Sequence, residues 1–353
     1  MPSVSVIVPN YNHAHFLRRR IESVLGQTFQ DFDLILLDDC STDESRSILM
    51  EYANDPRVRI EFNEVNSGST FKQWNKGVRL ARGEYIWIAE SDDYADERLL
   101  ERLVLLLRSE PSSVFAYCRS WRILADGQIS GACDVDLDPQ RWRADFWADG
   151  REECQNYLIR RNTITNTSSV LFRKEAYVRA GGADESLVLC GDWKLWAAMA
   201  LTGRIAYLGE PLNYYRSHDT NVRTKCQRLG LGPVEYLELI HWILQRVMPS
   251  DAAQRKLSED AFSLWTPEVE VLAQREPKVA LRVIDEFLQL SGSECVERSV
   301  LANAWLTTAG IHYRQGRPSK AMVSAGRAIL ARPLVAGRPV KRALTRLAAA
   351  FRS

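Results

Sequence analysis

The sequence predicts an α/β domain, built on a mostly parallel sheet with helices on both faces, and then an all-α C-terminal region. Three observations support this prediction. Over the first 110 residues, short apolar runs rich in β-branched residues alternate with helical patterns. These runs are apolar throughout, as in strands that helices cover on both faces. After about Asn221 only helical periodicity remains.

Four strands and three helices are expected before residue 90. The strands are Val4–Val8, Phe32–Leu37, Val58–Phe62 and Tyr85–Ala89. Helical patterns cover His15–Leu25 and Phe71–Ala81, and a third opens at Ser41, whose spacing to Glu44 is typical of a capping box. Ligands of parallel sheets bind beyond the carboxyl ends of the strands. The polar residues after these strands are therefore expected to converge on one crevice.

Further elements are expected between residues 110 and 203. They are a strand at Val114–Leu124, a turn at Asp126 and Gly127, a strand at Ser168–Phe172, a helix at Lys174–Ala180 and a helix from Asp192 that stops at Gly203. The segment Asp134–Asn156 has no clear period and is rich in Trp, Asp and Arg. We expect it to be a long functional loop.

Composition excludes several classes of protein. The 353 residues, 46% of them hydrophobic, can bury a large core, and the formal net charge of +1 argues against nucleic acid as a partner. Seven cysteines without a C-x-x-C motif indicate reduced thiols rather than disulfides or a zinc site. No signal peptide or membrane-spanning stretch is recognisable, so we expect a cytoplasmic protein.

The domain boundary is expected near residue 225, with the α/β domain at 1–225 and a helical region at 226–353. Within the helical region, residues 302–333 resemble one tetratricopeptide unit through Trp305, Ala309, Gly316, Ala321, Ala328 and Pro333. A packed helical appendage and a protein-binding module both fit this pattern. The tail at 338–353 is basic and amphipathic, which suits either peripheral membrane contact or packing on the preceding helices.

The stretch Trp87–Asp93 is the most informative part of the chain. An apolar strand runs directly into the adjacent carboxylates Asp92 and Asp93. Oxygen ligands suit Mg²⁺ or Mn²⁺, so one aspartate can hold the metal while the other faces a sugar hydroxyl. A solvated acidic turn is the alternative interpretation of this stretch alone.

Several ordered motifs resemble those of family 2 glycosyltransferases. They are Val4–Asn12, Leu36–Asp43, Ala81–Ile86, Ser91–Asp93, Gly191–Trp196 and Tyr215–His218. The resemblance covers roughly Ser3 to Arg223. It implies a GT-A fold with a Rossmann-like sheet, a nucleotide-sugar donor, a divalent metal (Mn²⁺ or Mg²⁺) and inversion at the anomeric carbon.

The resemblance also assigns roles on the donor side. Pro9 and Tyr11 would line the base pocket, and Asp39 would accept a hydrogen bond from a base N–H, which fits uracil or thymine. The neighbouring Asp38 is open to the same role or to a turn. Asp92 matches the ribose-side carboxylate of the family.

The metal and the diphosphate have their own candidates. Asp93 matches the metal ligand of the family, and His218 lies where similar enzymes place a downstream metal or diphosphate ligand. Many relatives have an Arg-Asn pair where this chain has Trp74 and Asn75. Lys72 can supply the missing cation towards the diphosphate, although a surface lysine is the plainer interpretation.

Asp192 is the candidate catalytic base on the acceptor side. An inverting transfer needs a carboxylate that takes the proton of the acceptor hydroxyl, and the start of a helix favours a charged carboxylate. A plain helix N-cap is the alternative. Many relatives carry Glu-Asp here, whereas this chain has Gly191. Trp193 is open to an acceptor platform or, with Trp196 on the same face, to core packing.

Together these residues predict a metal-dependent inverting glycosyltransferase, with UDP as the favoured nucleotide and a glycan, lipid-linked or protein acceptor. The alternative is a catalytically silent scaffold that binds partners through its helical C-terminus. The intact Asp39, Asp93 and Asp192 favour the enzyme. A nicotinamide dehydrogenase is excluded because no G-x-G-x-x-G follows the first strand.

Overall fold

The computed structural model describes residues 1–217 except 136 and 139, residues 232–247, three short pieces (277–278, 280–281 and 284–285) and residues 298–331. The chain divides into two compact units, Met1–Thr224 and Lys225–Ser353. The proposed site residue His218 and the basic tail at 338–353 lie outside the described residues.

A ten-stranded sheet forms the centre of the described part of the N-terminal unit. Its strands are β1 (Val4–Asn10), β2 (Phe32–Asp38), β3 (Val58–Phe62), β4 (Tyr85–Ile88), β5 (Tyr94–Ala95), β6 (Ser113–Ile123), β7 (Ile129–Ala132), β8 (Phe146–Asp149), β9 (Val170–Arg173) and β10 (Arg204–Arg216). They run in the order β3-β2-β1-β4-β9-β6-β10-β5, with β7 on β6 and β8 on β10. The predicted α/β class is therefore confirmed.

The sheet is mixed rather than mostly parallel. Strands β3, β2, β1 and β4 are parallel to one another, as predicted, and so are β6 and β10. Strand β9 enters between β4 and β6 and is antiparallel to both. An apolar run in the sequence indicates a strand but not the direction in which that strand enters the sheet. The antiparallel insertion of β9 was therefore not predicted.

Helices cover the sheet. In the N-terminal unit they are α1 (Ala14–Leu25), α2 (Ser45–Met50), α3 (Thr70–Leu80), α4 (Leu99–Ser109), α5 (Gly150–Glu153), α6 (Lys174–Arg179) and α7 (Gly191–Ala200). The capping box predicted at Ser41 is wrong, because α2 begins four residues later and its cap residue Glu44 makes no capping bond. The Ser41 hydroxyl instead accepts a hydrogen bond from the backbone N–H of Asn12.

The core lies against the central strands, where β1 is buried along its whole length. Helix α3 packs so closely on β1 that a Cβ at Gly77 would lie 2.4 Å from Ile7. At Gly83 a Cβ would lie 2.5 Å from the backbone nitrogen of Ser5, and the Ser5 hydroxyl accepts from the N–H groups of Arg82 and Gly83. The Arg-Gly turn before β4 is thus fastened directly to β1.

The segment Asp134–Asn156 is more structured than predicted. It contains a 3₁₀ turn at Arg141–Arg143, strand β8 and helix α5. Arg141 anchors the segment, since its guanidinium lies 3.9 Å from the Phe146 ring centre and 2.7 Å from Oε2 of the buried Glu153. The segment shows no regular hydrophobic period because its elements are short and are held by an arginine and aromatic rings. It is not an unpacked loop.

In the C-terminal unit the structure describes helices α8 (Gly232–Val247), α9 (Arg298–Arg314) and α10 (Pro318–Ala331). Helices α9 and α10 pack on each other as a hairpin. Their relation to a tetratricopeptide unit stays a prediction. Across the described residues, no helix has the length and apolar character needed to cross a membrane.

Candidate active site

The carboxyl ends of three strands lie side by side, because β1 pairs in parallel with both β2 and β4. Asn10 ends β1, Asp38 ends β2, and Glu90 follows β4 by two residues. The motifs singled out in the sequence therefore meet along one edge of the sheet. We call the part near Asp39, where the resemblance predicts the nucleotide base, the nucleotide end, and the part formed by Glu90, Asp92 and Asp93 the carboxylate end.

At the nucleotide end, Asp39 is buried in a cage of neutral donors. Its Oδ1 accepts hydrogen bonds from Nδ2 of Asn63 (2.6 Å), the backbone N–H of Ser67 (2.8 Å) and Nε2 of Gln73 (3.0 Å). Its Oδ2 accepts from the Ser67 hydroxyl at 2.7 Å. The donors come from the end of β3, the loop before α3 and α3 itself, so three neighbouring segments fix one carboxylate.

Asp38 makes different contacts from Asp39. It is fully buried, and it accepts from Nδ2 of Asn10 at 3.0 Å and from the backbone N–H of Ser41 at 3.0 Å. These bonds fasten the loop after β2 to the end of β1. Of the two roles left open for Asp38, the contacts favour the turn.

The loops around Asp39 carry backbone strain. Asn12 (φ 56°) and Cys40 (φ 63°) both adopt the left-handed region, which is uncommon for residues other than glycine. Tyr11 is 46% exposed beside them, whereas Pro9 is buried inside β1. Strain of this kind is typical of ligand-binding loops.

Lys72 lies on the first turn of α3 with its side chain exposed. Its ammonium donates to the backbone oxygen of Ser67 at 3.2 Å. Because Ser67 also donates twice to Asp39, the structure places Lys72 at the nucleotide end of the site.

At the carboxylate end, both side-chain oxygens of Asp93 accept hydrogen bonds from the protein. Oδ2 accepts from Nδ2 of Asn166 (2.9 Å) and the Ser168 hydroxyl (2.7 Å), and Oδ1 accepts from the backbone N–H of Arg216 (2.9 Å). Asp93 is only 2% exposed. Among the described residues Oδ1 accepts the single bond from Arg216 and so has room for one further partner, and the metal-ligand role of Asp93 stays a prediction.

Glu90 and Asp92 are more open, since both residues are half-buried. Glu90 Oε1 accepts a hydrogen bond from the indole N–H of Trp74 at 2.7 Å. Desolvation, followed by the negative charge of Asp92, raises the pKa of Glu90 to about 8. A carboxylate that is desolvated beside another negative charge favours a bound proton or a nearby cation.

A buried arginine partly balances this charge. Arg20 is fully buried; its Nε donates to the backbone oxygen of Glu90, and its Nη2 lies 3.9 Å from Oδ2 of Asp93. Burial lowers the pKa of Arg20 to about 10, so it remains charged at neutral pH. Within the described residues, Nη1 and Nη2 find no hydrogen-bond acceptor.

Arg216 braces the same end. Its Nε donates to the backbone oxygen of Asp92, and its Nη1 donates to the backbone oxygens of Leu124 and Ala125. The side chain therefore fixes the turn that carries both aspartates. These hydrogen bonds all go to backbone oxygens, so they support a role in bracing this loop.

Asp192 occupies the second position of α7 and is half-buried. Its Oδ1 accepts from the backbone N–H of Trp193 at 2.6 Å, and its Oδ2 accepts from Nδ2 of Asn162 at 3.2 Å. The N-cap alternative is wrong, because Cys190 holds the cap position. Asp192 instead lies in the first helical turn, where the helix dipole still favours a negative charge.

Steric contact explains why residue 191 is a glycine. A Cβ at this position would lie 2.4 Å from the ring of Phe71, so the ring occupies the space that a larger residue would need. Phe71 in turn meets Trp74 edge-on at 5.0 Å, and Trp74 donates to Glu90. Trp193 is 1% exposed and donates to the backbone oxygen of Leu158, so it belongs to the core and not to an acceptor platform.

Several residues of this site were missed in the sequence. Glu90 could have been found through its spacing, because Glu90 and Asp92 form an acidic pair two residues apart at the end of a strand. No sequence pattern pointed to Asn162, Asn166 and Ser168, because a short polar run without periodicity resembles an ordinary loop. Only the fold shows that this run faces the carboxylates.

Among the described residues, no three His, Cys, Asp or Glu side chains form a complete set of metal ligands. The Glu90 and Asp92 carboxylates are nevertheless a suitable donor set for a hard cation. Mg²⁺ in particular is often held by one or two carboxylates, with phosphate oxygens and water completing its coordination.

Comparison with known proteins adds independent information. Residues 5–178 match the model of the family described as glycosyl transferase family 2. Over 128 residues the chain is 34% identical to the putative teichuronic acid biosynthesis glycosyltransferase TuaG of Bacillus subtilis, covering 36% of this chain and 50% of TuaG. The chain spans half or less of the length of the first three curated relatives that it matches.

Solved structures share the fold. The S. aureus TarS fragment 1–349 in complex with UDP-GlcNAc superposes with a TM-score of 0.64 at 18% identity, over 89% of this chain and 92% of that one. The mannosyltransferase PcManGT of Pyrobaculum calidifontis, in complex with GDP-Man and Mn²⁺, gives a TM-score of 0.53 at 14% identity, over 94% and 88% of the two chains. At these identities the likeness establishes the GT-A fold alone.

Proposed function

We propose that the protein is a metal-dependent inverting glycosyltransferase with a UDP-sugar donor, since residues 5–178 match the glycosyl transferase family 2 model. The observation that carries the proposal is the convergence of four carboxylates along one sheet edge and its neighbouring helix. Asp39 lies at the nucleotide end, Glu90 with Asp92 at the carboxylate end, and Asp192 at the start of α7.

Asp39 binds the base in this proposal. Its Oδ2 accepts one hydrogen bond from the described residues, from the Ser67 hydroxyl, and a carboxylate oxygen has room for another. The N–H of a uracil edge is a suitable second donor. Tyr11 offers an exposed ring beside this pocket, while Pro9 shapes the pocket from within β1. The UDP complex of TarS supports uracil as the base.

Glu90 and Asp92, which are half-buried, face the metal and the ribose in this proposal. Asp93 stays a candidate metal ligand, since its Oδ1 accepts one hydrogen bond from the described residues, from the backbone N–H of Arg216. A bound Mn²⁺ or Mg²⁺ would act as a Lewis acid that stabilises the departing diphosphate. Lys72 adds a cation near the nucleotide, and His218 stays a candidate ligand of the metal or diphosphate.

Asp192 acts as the general base. It takes the proton of the acceptor hydroxyl while that oxygen forms a bond to the anomeric carbon. The bond from the anomeric carbon to the diphosphate oxygen breaks at the same time, and its electron pair leaves with UDP. Attack from the face opposite the leaving group inverts the anomeric configuration.

The likeness to TuaG supports a cell-envelope polysaccharide, or its lipid-linked precursor, as the acceptor class. Such a role places the enzyme in the cytoplasm, with access to nucleotide sugars, and allows contact with the inner face of the membrane through the tail at 338–353. The helical C-terminal unit would then serve assembly or acceptor binding.

The proposal is tested by incubating the protein with UDP-GlcNAc and Mn²⁺ and following UDP release, with EDTA as the metal-free control. Proton NMR of the freshly released sugar reports its anomeric configuration. We expect metal-dependent release of UDP and an initial β-anomer from the α-linked donor. An initial α-anomer would exclude inversion. No UDP release from UDP-GlcNAc, UDP-glucose or UDP-galactose would contradict a UDP-sugar enzyme.

A further inference from the structure

A short polar segment connects the two catalytic parts of the site. This segment, Asn162–Ser169, has Asn162 at its first position, where it donates to Asp192. Near its other end, Asn166 and Ser168 donate to Asp93. One stretch of eight residues therefore contacts both the proposed base and the carboxylate end.

The far end of the segment is firmly held. Ser168 accepts from the indole N–H of Trp87 through its backbone oxygen (2.7 Å) and from the backbone N–H of Glu90 through its hydroxyl (3.0 Å). Oδ1 of Asn166 accepts from Nδ2 of Asn213 at 2.9 Å. Strands β4 and β10 thus fix the part of the segment that contacts Asp93.

The near end is anchored just after Asn162. Thr163 and Ile164 are 2% and 1% exposed, so the chain enters the core there. Oδ1 of Asn162 accepts from the backbone N–H of Ile164 at 3.2 Å, which turns the amide nitrogen towards Asp192. The side-chain amide is therefore held at both of its polar atoms.

We propose that Asn162 is a positioning residue for the catalytic base, and that the segment Asn162–Ser169 sets the position of Asp192 relative to Glu90 and Asp92. This inference rests on the proposed function. Oδ2 of Asp192 accepts from Asn162 and Oδ1 accepts from the backbone of Trp193, so the two donors together define the plane of the carboxylate. A fixed plane aims the basic oxygen at the acceptor hydroxyl.

The test uses turnover with UDP-GlcNAc, with water as the acceptor, together with UDP affinity measured by calorimetry. Asn162→Ala removes the donor, and Asn162→Asp keeps the shape but opposes Asp192 with another acceptor. Thr165→Ala is the matched control, because Thr165 is exposed within the same segment. We expect both Asn162 variants to lose about tenfold to a hundredfold in kcat, as for a misplaced reacting group. KM for the donor and the Kd for UDP stay unchanged, and Thr165→Ala behaves as wild type.

A double-variant cycle separates positioning from general structural support. If Asn162 acts through Asp192, adding Asn162→Ala to Asp192→Asn lowers kcat no further. A full additional loss in the double variant would overturn the inference, and so would wild-type kcat in both single Asn162 variants. A wild-type protein that releases no UDP at all would overturn the proposed function and this inference with it.

Discussion

The two ends of the candidate site hold their carboxylates in different ways. At the nucleotide end, a single carboxylate, Asp39, is surrounded by amide, hydroxyl and backbone donors. At the carboxylate end, Glu90, Asp92 and Asp93 crowd together, and the arginines Arg20 and Arg216 lie among them.

This difference in how the carboxylates are held indicates what each end requires from a ligand. A caged single carboxylate is preformed and needs only one more donor, such as a base N–H. Desolvation and then the charge of Asp92 raise the pKa of Glu90, and the buried Arg20 offsets only part of the negative charge. The nucleotide end should therefore bind without metal, while the carboxylate end is completed by a cation.

The largest effect is expected from a residue outside both ends. Asp192→Asn removes the proposed base while leaving the donor contacts intact, so turnover should fall by about 10²- to 10⁴-fold. Steady-state release of UDP measures this loss, and calorimetry with UDP is the control. A variant that loses UDP binding as well would show that Asp192 belongs to the donor site.

Substitutions at the two adjacent aspartates should affect different properties. Asp93→Asn should lower stability, and Asp92→Asn should change metal-dependent binding of UDP. Asp93→Asn places an amide against the donors Asn166 and Ser168, so we expect a loss of about 1.5–3 kcal/mol in the free energy of unfolding. Asp92→Asn should leave the unfolding temperature nearly unchanged and remove the effect of Mn²⁺ on UDP binding. Thermal unfolding of the two variants checks the first expectation. Equal stability of both variants would contradict the structural role of Asp93.

Asp39→Asn probes the nucleotide end. Loss of a hydrogen bond to a charged group costs about 1.5–3 kcal/mol, which corresponds to UDP binding weakened by about tenfold to a hundredfold. The loss should be the same with and without Mn²⁺, because Asp39 lies in the metal-independent end. A loss seen only with Mn²⁺ would remove the distinction between the two ends.

Lys72→Ala should have the smallest effect. The side chain is exposed, and exposed charge pairs contribute about 0–1 kcal/mol. We expect UDP affinity to fall by less than about fivefold, with the difference vanishing in high salt. Calorimetry at two salt concentrations is the measurement. A larger, salt-independent loss would place Lys72 in direct contact with the diphosphate.

The parallel half of the fold was predictable because its strands are short continuous apolar runs. Predicted and observed bounds are identical for Val58–Phe62 and differ by one residue at each end for α3. Direction and pairing were not predictable where β9 inserts antiparallel between β4 and β6, since these depend on contacts far apart in the sequence. The start of α2 was misplaced because Ser41 serves the neighbouring loop at Asn12.

The placement of acidic residues along one sheet edge was predictable where acidic motifs follow parallel strands, as at Asp39 and Asp92. The division of roles between Asp92 and Asp93 stays a prediction, because the two residues are adjacent and the structure distinguishes them by burial. The contact of Asn162 with Asp192 could not be predicted, because it joins residues 30 positions apart.

Calorimetric titration of UDP with and without Mn²⁺ on wild type, Asp39→Asn and Asp92→Asn tests the proposed donor site most directly. We expect Mn²⁺ to strengthen UDP binding to wild type and Asp92→Asn to abolish this gain. Asp39→Asn should weaken binding under both conditions. A folded wild-type protein that binds UDP neither with nor without Mn²⁺ would exclude a UDP-sugar donor site.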